Sequence, residues 1–151
     1  MNAQTPPASG PVSLPRMLVN RILTLAQSKP EEEICGLVSA SPEQGGAHPE
    51  QVWPIHNVAR ERGHLFQMDA AEQIDALRQM REQRHELFAI YHSHPHAPAV
   101  PSQRDADEAA YPEALYLIIS LNTKGVLEMQ GYRRDPLEKK FHSVALEVIE
   151  D

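Results

Sequence analysis

The sequence LFAIYHSHP, residues 87–95, is the stretch that indicates the fold most clearly, and the other segments are interpreted in relation to it. A nearly continuous apolar run is typical of a central strand that is covered on both faces. Side chains alternate along a strand, so the imidazoles of His92 and His94 point to the same side. Pro95 cannot donate to a strand ladder, so we expect the strand to end there and the imidazoles to lie at a sheet edge, open to a ligand.

The two histidines leave a structural role and metal binding equally open when only their spacing is considered. Asp105 adds a carboxylate eleven residues later. Two imidazoles and one carboxylate suit a catalytic zinc ion, which keeps one position open for water. Ser102 and Asp105 also match a capping box at a helix start. The two interpretations are compatible, because a capped helix start would hold Asp105 in place as a ligand.

Glu33 differs from its neighbours in the run of three glutamates because it leads directly into the apolar segment 34–37. A carboxylate at this point could lie beside a metal-bound water and act as a general base. We expect Gly36 to allow a close backbone approach. Cys35 lies in an apolar, acidic setting, which favours a buried small hydrophobe over a nucleophile. The spacing assigns no role to His96.

The remaining patterns predict a mixed α/β sheet with helices packed on it. The expected order is a helix, two strands, a helix, a strand, a helix and further strands. The first helix is capped by Ser13, carries Pro15 in its first turn and ends at Pro30. The second follows a capping box at Asp69 and Glu72 and presents Ala70, Ile74 and Leu77 on its apolar face. The other expected elements are strands at 34–39, 51–56, 87–92, 114–121 and 126–133, a strand through Val144, Leu146 and Val148, a turn at 41–49, loops at 57–64 and 97–101, a helix at 102–110 and a turn at 122–125.

Length and composition favour one globular domain over residues 13–151, preceded by a disordered tail at residues 1–12. The net charge of −7 disfavours nucleic acid as a partner. Neither a membrane-length apolar run nor a signal peptide is visible in the sequence. One cysteine cannot form an internal disulfide, so we expect a cytoplasmic protein.

The chemistry-bearing residues together resemble the JAMM motif of the MPN+ metallopeptidases. That motif has an upstream glutamate near a glycine, then His-x-His-Pro, six residues, Ser, two residues and Asp. The matching residues here are Glu33, Gly36, His92, His94, Pro95, Ser102 and Asp105. The order of elements is also similar over residues 13–150.

The resemblance implies a cytidine-deaminase-like α/β fold and one Zn²⁺ held by His92, His94 and Asp105. It further implies that Glu33 is the general base and that Ser102 stabilises the tetrahedral oxyanion. Zinc would act as a Lewis acid and as the source of a nucleophilic hydroxide. The bond hydrolysed would be an amide or isopeptide.

The compact length resembles the short prokaryotic members of the family, which are associated with ubiquitin-like sulfur carriers of the ThiS/MoaD type. The expected substrate is therefore the Gly-Gly tail of such a carrier protein. Loops 57–66 and 96–101 are candidate lids. A non-catalytic MPN scaffold and a zinc amidohydrolase of small amides are the alternatives. The sequence leaves the oligomeric state open, and a homodimer is compatible with it.

Overall fold

The structure of the chain is a computed structural model that describes residues 10–43, 46–108, 111, 113–122, 127–135 and 137–150. It contains eight strands and three helices in these ranges. The strands are β1 (Val12–Pro15), β2 (Cys35–Glu43), β3 (Gly46–Ile55), β4 (Glu86–His94), β5 (Leu115–Ser120), β6 (Glu128–Asp135), β7 (Lys140–Val144) and β8 (Leu146–Ile149). The helices are α1 (Arg16–Ser28), α2 (Ala70–Glu82) and α3 (Gln103–Glu108). No described helix combines the length and apolar character needed to cross a bilayer.

Six strands form one mixed sheet in the order β3-β2-β4-β5-β6-β7. Strands β4 and β5 are parallel, and the other neighbouring pairs are antiparallel. Helix α1 packs through Ile22 on the side of the sheet that carries Val38. Helix α2 packs through Met80 on the side that carries Leu37. The predicted α/β sheet flanked by helices is therefore confirmed.

Strand β4 confirms the predicted central strand and runs two residues further, to His94. It lies between β2 and β5, and its last six residues are buried. The expectation that the histidines lie at a sheet edge is wrong in this respect. They occupy the carboxyl end of an interior strand, where neighbouring segments cover them.

The two ends of the chain differ from the sequence prediction. Residues 12–15 form β1, which pairs in parallel with β8. Helix α1 therefore begins at Arg16, and its N-cap is Pro15 with no side-chain cap, so the predicted Ser13 cap is wrong. Strand β1 begins one residue before the predicted domain start at 13, and residues 1–9 of the predicted tail lie outside the described residues. A partner from the opposite terminus leaves no local signal in the sequence.

The single predicted last strand is two strands. Residues 140–144 extend the main sheet beside β6, and residues 146–149 cross to β1. The carbonyl of Ala145, between them, accepts a hydrogen bond from the Val12 amide at 2.9 Å. The predicted turn at 41–49 is also too long, because β2 continues to Glu43 and β3 begins at Gly46. Residues 109–110 of the predicted third helix and most of the predicted turn at 122–125 lie outside the described residues.

Helix α2 starts as predicted but presents a face that shares only Leu77 with the predicted one. The Asp69 side chain accepts a hydrogen bond from the Glu72 amide at 3.0 Å, which confirms the cap. Ile74, however, is 67% exposed, whereas Ala76 and Met80 are buried. Gln73, Ala76, Leu77 and Met80 form a competing stripe at helical spacing, and packing against β4 selects that stripe.

Gly36 allows the close approach of two groups of the same sheet, one from a side chain and one from the backbone. It pairs with Tyr91 in the β2–β4 register. A Cβ at this position would collide with the Tyr91 phenol ring and with the Trp53 carbonyl oxygen. The expected close backbone approach is therefore present at the Trp53 carbonyl oxygen, and the Tyr91 ring also lies over Gly36.

We predict that Gly36→Ala lowers the free energy of unfolding by about 1–3 kcal/mol, because the sheet must move to relieve the collision. Gly10→Ala is the control, since its added methyl group meets nothing within 4 Å. Denaturant unfolding of both variants measures the difference. Equal stability of the two variants would contradict the packing described for Tyr91.

Candidate metal centre

The two histidines of β4 turn their rings toward one point. Their Nε2 atoms lie 3.1 Å apart. His92 is 2% exposed and His94 is 5% exposed. The Phe66 ring stacks on the His92 ring with centroids 4.5 Å apart. The side-chain alternation expected of a strand therefore places both imidazoles in one covered site.

Asp105 reaches the same point from the first turn of α3. Its Oδ2 atom lies 3.3 Å from the Nε2 of His92 and 3.5 Å from that of His94. The same oxygen accepts a hydrogen bond from the Ser102 amide at 2.8 Å, and the Asp105 amide donates to the Ser102 hydroxyl at 3.0 Å. The capping box is thus present, and it holds the carboxylate beside the histidines.

These three side chains fit a small divalent cation that prefers nitrogen and oxygen ligands. A tetrahedral zinc ion with bonds of about 2.0–2.1 Å holds its ligand atoms about 3.3 Å apart. The His94 Nδ1 atom lies 2.8 Å from the Pro98 carbonyl oxygen, to which it donates when protonated. When the ring is neutral, that bond selects the tautomer that leaves a lone pair on Nε2, the form in which the imidazole can bind a cation.

The charges of the three groups are strongly coupled. Burial acts to raise the pKa of Asp105, but hydrogen bonds with both histidines outweigh it and hold the pKa well below the usual value. Burial lowers the pKa of His92. The pKa of His94 is raised, because bonds to Asp105 and Pro98 outweigh the opposing effect of burial. Asp105 therefore carries a negative charge that can bind a cation.

Glu33 lies beside the histidines, on the segment that leads into β2. Its carboxylate forms a group with His92 and His94 whose ligand atoms all lie within 4.8 Å of one another. The residue is 6% exposed. Burial raises its pKa to about 7, against the lowering effect of His94. A carboxyl group with such a pKa can take up and release a proton near neutral pH.

Ser93, the residue between the histidines, joins β4 to the segment that carries Glu33. Its hydroxyl accepts a hydrogen bond from the Ile34 amide at 2.9 Å and lies 3.4 Å from the Glu32 carbonyl, to which it donates. The Ser93 amide also donates to the Ile34 carbonyl at 3.0 Å. The two faces at the end of β4 thus have different roles. One face bears the histidines, and the other binds the segment that carries Glu33.

A groove of about 500 Å³ opens beside Asp105. Its walls come from the segment 64–68, from α3 and from the region between α3 and β5. They include Leu65, Phe66, Met68, Ser102, Asp105 and Tyr116. An extended peptide in this groove would pass Asp105 and Ser102.

Cys35 and His96 contribute little to this arrangement. The Cys35 thiol is buried, lies 3.4 Å from the Ile55 carbonyl oxygen, and has its pKa raised to about 12 by burial. The predicted burial of Cys35 is confirmed, and its raised pKa disfavours the thiolate that a nucleophile needs. His96 is mostly exposed and pairs with Glu31 at 3.3 Å.

Three residues at the site have no role predicted from the sequence. They are Ser93, Phe66 and Asn57, whose side-chain amide donates a hydrogen bond to the Glu33 carbonyl at 2.9 Å. Ser93 is part of the motif, and strand alternation places it opposite the histidines. Asn57 and Phe66 belong to a polar loop without periodicity. Their positions depend on how that loop folds back on Glu33 and His92.

Comparisons with known proteins show which family this chain resembles. A model of the family described as prokaryotic homologs of the JAB domain matches residues 15–133. The chain is 33% identical to the CysO-cysteine peptidase of Mycobacterium tuberculosis over 116 residues, which is 77% of each chain. It is 31% identical to the desampylase of Haloferax volcanii, covering 63% of this chain and 67% of that one. A probable TtuB-protein conjugate cleaving protease of Thermus thermophilus is 37% identical over 44% of this chain and 45% of that one.

The fold is also similar to solved structures. A Desulfitobacterium hafniense protein superposes with a TM-score of 0.79 at 27% identity, covering 92% of this chain and 93% of that one. A JAB1/MPN domain protein from Archaeoglobus fulgidus has a TM-score of 0.57 at 21% identity, covering 95% and 99%. The second match concerns the fold alone, and it bears out the fold expected from the motif.

We predict that Ser93→Ala lowers the free energy of unfolding by about 1–3 kcal/mol, because the partly buried Ile34 amide loses its partner. Ser28→Ala is the matched control, since its hydroxyl bonds only to the carbonyl of Leu25 on an exposed helix end. Thermal and denaturant unfolding compare the two variants. If Ser93→Ala is as stable as Ser28→Ala, the hydrogen bonds from Ser93 to the Glu33 segment do not contribute to the free energy of unfolding.

Proposed function

Because this chain belongs to the family of prokaryotic homologs of the JAB domain, we propose that it is a zinc-dependent peptidase. Its proposed substrate is the amide bond after the C-terminal Gly-Gly of a ubiquitin-like sulfur-carrier protein. The observation that carries the proposal is the meeting of two histidines, Asp105 and Glu33 in one largely buried group, of which Asp105 also lines an open groove. The named relatives are peptidases, which supports hydrolysis over a scaffold role.

His92, His94 and Asp105 would hold the zinc ion. The support is their donor set of two ring nitrogens and one carboxylate oxygen, spaced 3.1–3.5 Å apart. Three protein ligands leave a position open for water, as in catalytic rather than structural sites. When bound, zinc supplies a Lewis acid and acidifies the water in that open position.

Glu33 would act as the general base. Its carboxylate takes a proton from the attacking water and passes it to the departing amine, so that one residue serves both halves of hydrolysis. Burial supports this role because it brings the pKa of Glu33 to about 7. A base with a much lower pKa would accept the proton less readily.

Ser102 would stabilise the oxyanion that develops on the scissile carbonyl. Its hydroxyl oxygen accepts a hydrogen bond from the Asp105 amide, which leaves the hydroxyl hydrogen available for donation. The residue lines the groove next to Asp105. A fixed donor at this position is the arrangement that electrostatic stabilisation requires.

The groove supports an extended tail as substrate. Leu65, Phe66 and Met68 line it from one loop, and Ser102 and Tyr116 line it from other segments of the chain. Glycine residues let a backbone lie close to such walls. The relatives are named for CysO-cysteine and for TtuB conjugates, so the proposed leaving group is an amino acid or a linked protein.

We predict that the purified protein binds about one zinc ion per chain at the His92 site. Asp105→Asn and His92→Ala should lose most of it, as measured by elemental mass spectrometry after dialysis. His142→Ala is the control, because Asp135, Glu138 and His142 form a second, more exposed group that could hold a metal ion. Full zinc in both site variants and loss in His142→Ala would place the metal at the second group instead.

The substrate proposal predicts cleavage of a ThiS- or MoaD-like carrier extended beyond its Gly-Gly, with release of the extension detected by intact mass. A matched carrier whose tail ends in Ala-Ala should be cut far more slowly, since added methyl groups obstruct the groove. Cleavage of small amides at the same efficiency as the carrier would contradict the choice of a protein tail.

Glu33→Gln tests the assignment of the base within the same assay. It should retain zinc and lose about 10²–10⁴-fold in rate, because the amide cannot take the proton. Wild-type turnover by this variant would remove Glu33 from the mechanism without affecting the choice of substrate.

A further inference from the structure

We infer that Asn57 is a positioning residue that holds the general base Glu33 against the loop that forms one wall of the substrate groove. The inference rests on the proposed function, because only that function makes Glu33 a general base. Its structural content, that one side chain ties the Glu33 backbone to the groove wall, stands independently of the reaction.

The amide of Asn57 uses all of its hydrogen-bonding capacity. Its Nδ2 atom donates to the carbonyls of Glu33 and Leu65, each at 2.9 Å. Its Oδ1 atom accepts from the amides of Ala59 at 3.0 Å and Gln67 at 2.9 Å. An asparagine has two such hydrogens and two lone pairs, so no capacity remains. A side chain saturated in this way holds four backbone groups in one geometry.

Glu33 depends on this loop for both of its backbone polar groups. Its carbonyl accepts from Asn57, and its amide donates to the Arg62 carbonyl at 2.7 Å. The strand ladder of β2 begins two residues later, at Cys35. The position of the base is therefore set by the loop on one side and by Ser93 on the other.

The same loop forms the groove wall. Leu65, Phe66, Gln67 and Met68 line it, and Phe66 stacks on His92. The loop closes on itself through the Val58 amide, which donates to the Gln67 carbonyl at 2.8 Å. A shift of residues 65–67 relative to Glu33 would therefore change the groove and the base together.

Asn57→Asp is the informative variant, because it keeps the acceptor oxygen and replaces the donor nitrogen by a second oxygen. The carbonyls of Glu33 and Leu65 would then face a carboxylate. We expect kcat to fall by about 10–100-fold, since a displacement near 1 Å at the reacting groups has that effect. KM should rise as well, because the groove wall moves with the loop. Bound zinc should stay at the wild-type level, because the proposed ligands do not touch Asn57 in the structure described.

Ser39→Ala is the matched control for simple destabilisation. Ser39 is fully buried and bonds to Trp53 at 2.9 Å and His85 at 3.0 Å, away from the groove. We expect this variant to lower the unfolding midpoint while leaving kcat and KM unchanged. A loss of kcat in Ser39→Ala equal to that in Asn57→Asp would mean that lowered stability alone explains the effect.

Hydrogen exchange measured by mass spectrometry provides a readout that does not need turnover. Peptides covering residues 31–34 and 57–68 should exchange faster in Asn57→Asp than in the wild type, and those in Ser39→Ala should not. Unchanged exchange at 31–34 in Asn57→Asp would overturn the inference. If Asn57→Asp exchanges faster but the wild-type protein cleaves no carrier, the inferred connection between the loop and Glu33 is supported and the proposed function is refuted.

Discussion

The site depends on the register between β2 and β4. Cys35 pairs with His92, and the pairing continues beyond the ladder because Ser93 binds both backbone polar groups of Ile34. This places Glu33 beside two histidines that lie nearly sixty residues later in the chain. Because side chains alternate along a strand, a slip of one residue would turn the histidines to the opposite face, away from Asp105. Register at this one strand pair therefore decides whether the proposed metal ligands and the proposed base meet.

Burial gives the assembled groups their chemistry. The Asp105 carboxyl keeps its charge because hydrogen bonds with the histidines outweigh the cost of burial. Glu33 has less compensation, and its pKa rises to about 7. Two carboxyl groups in one site thus acquire different protonation behaviour from their surroundings, which suits one to bind a cation and the other to carry a proton. Cys35, on the same segment as Glu33, is kept protonated by the same burial.

Most predictions that depend on residues close together in the sequence are correct, and the errors come mainly from contacts between distant residues. Strand β4, the Asp69 cap of α2 and the capping box at Ser102 each depend on neighbours within a few residues, and each is present. Except at Leu77, the face of α2 differs from the predicted one, because two stripes fit the helical period and only packing against the sheet chooses between them. Strand β1 was missed because its partner, β8, lies at the other end of the chain.

The sequence by itself determined the side chains of the proposed metal centre, their shared direction on one strand and the helix start that presents Asp105. These follow from strand alternation and capping, which are local rules. Only the tertiary structure decided that Asn57 joins Glu33 to the groove wall and that Phe66 covers His92. The physical reason is that these contacts are made by a loop whose path is set by hydrogen bonds to distant segments, and such bonds leave no periodic pattern in the residues that form them.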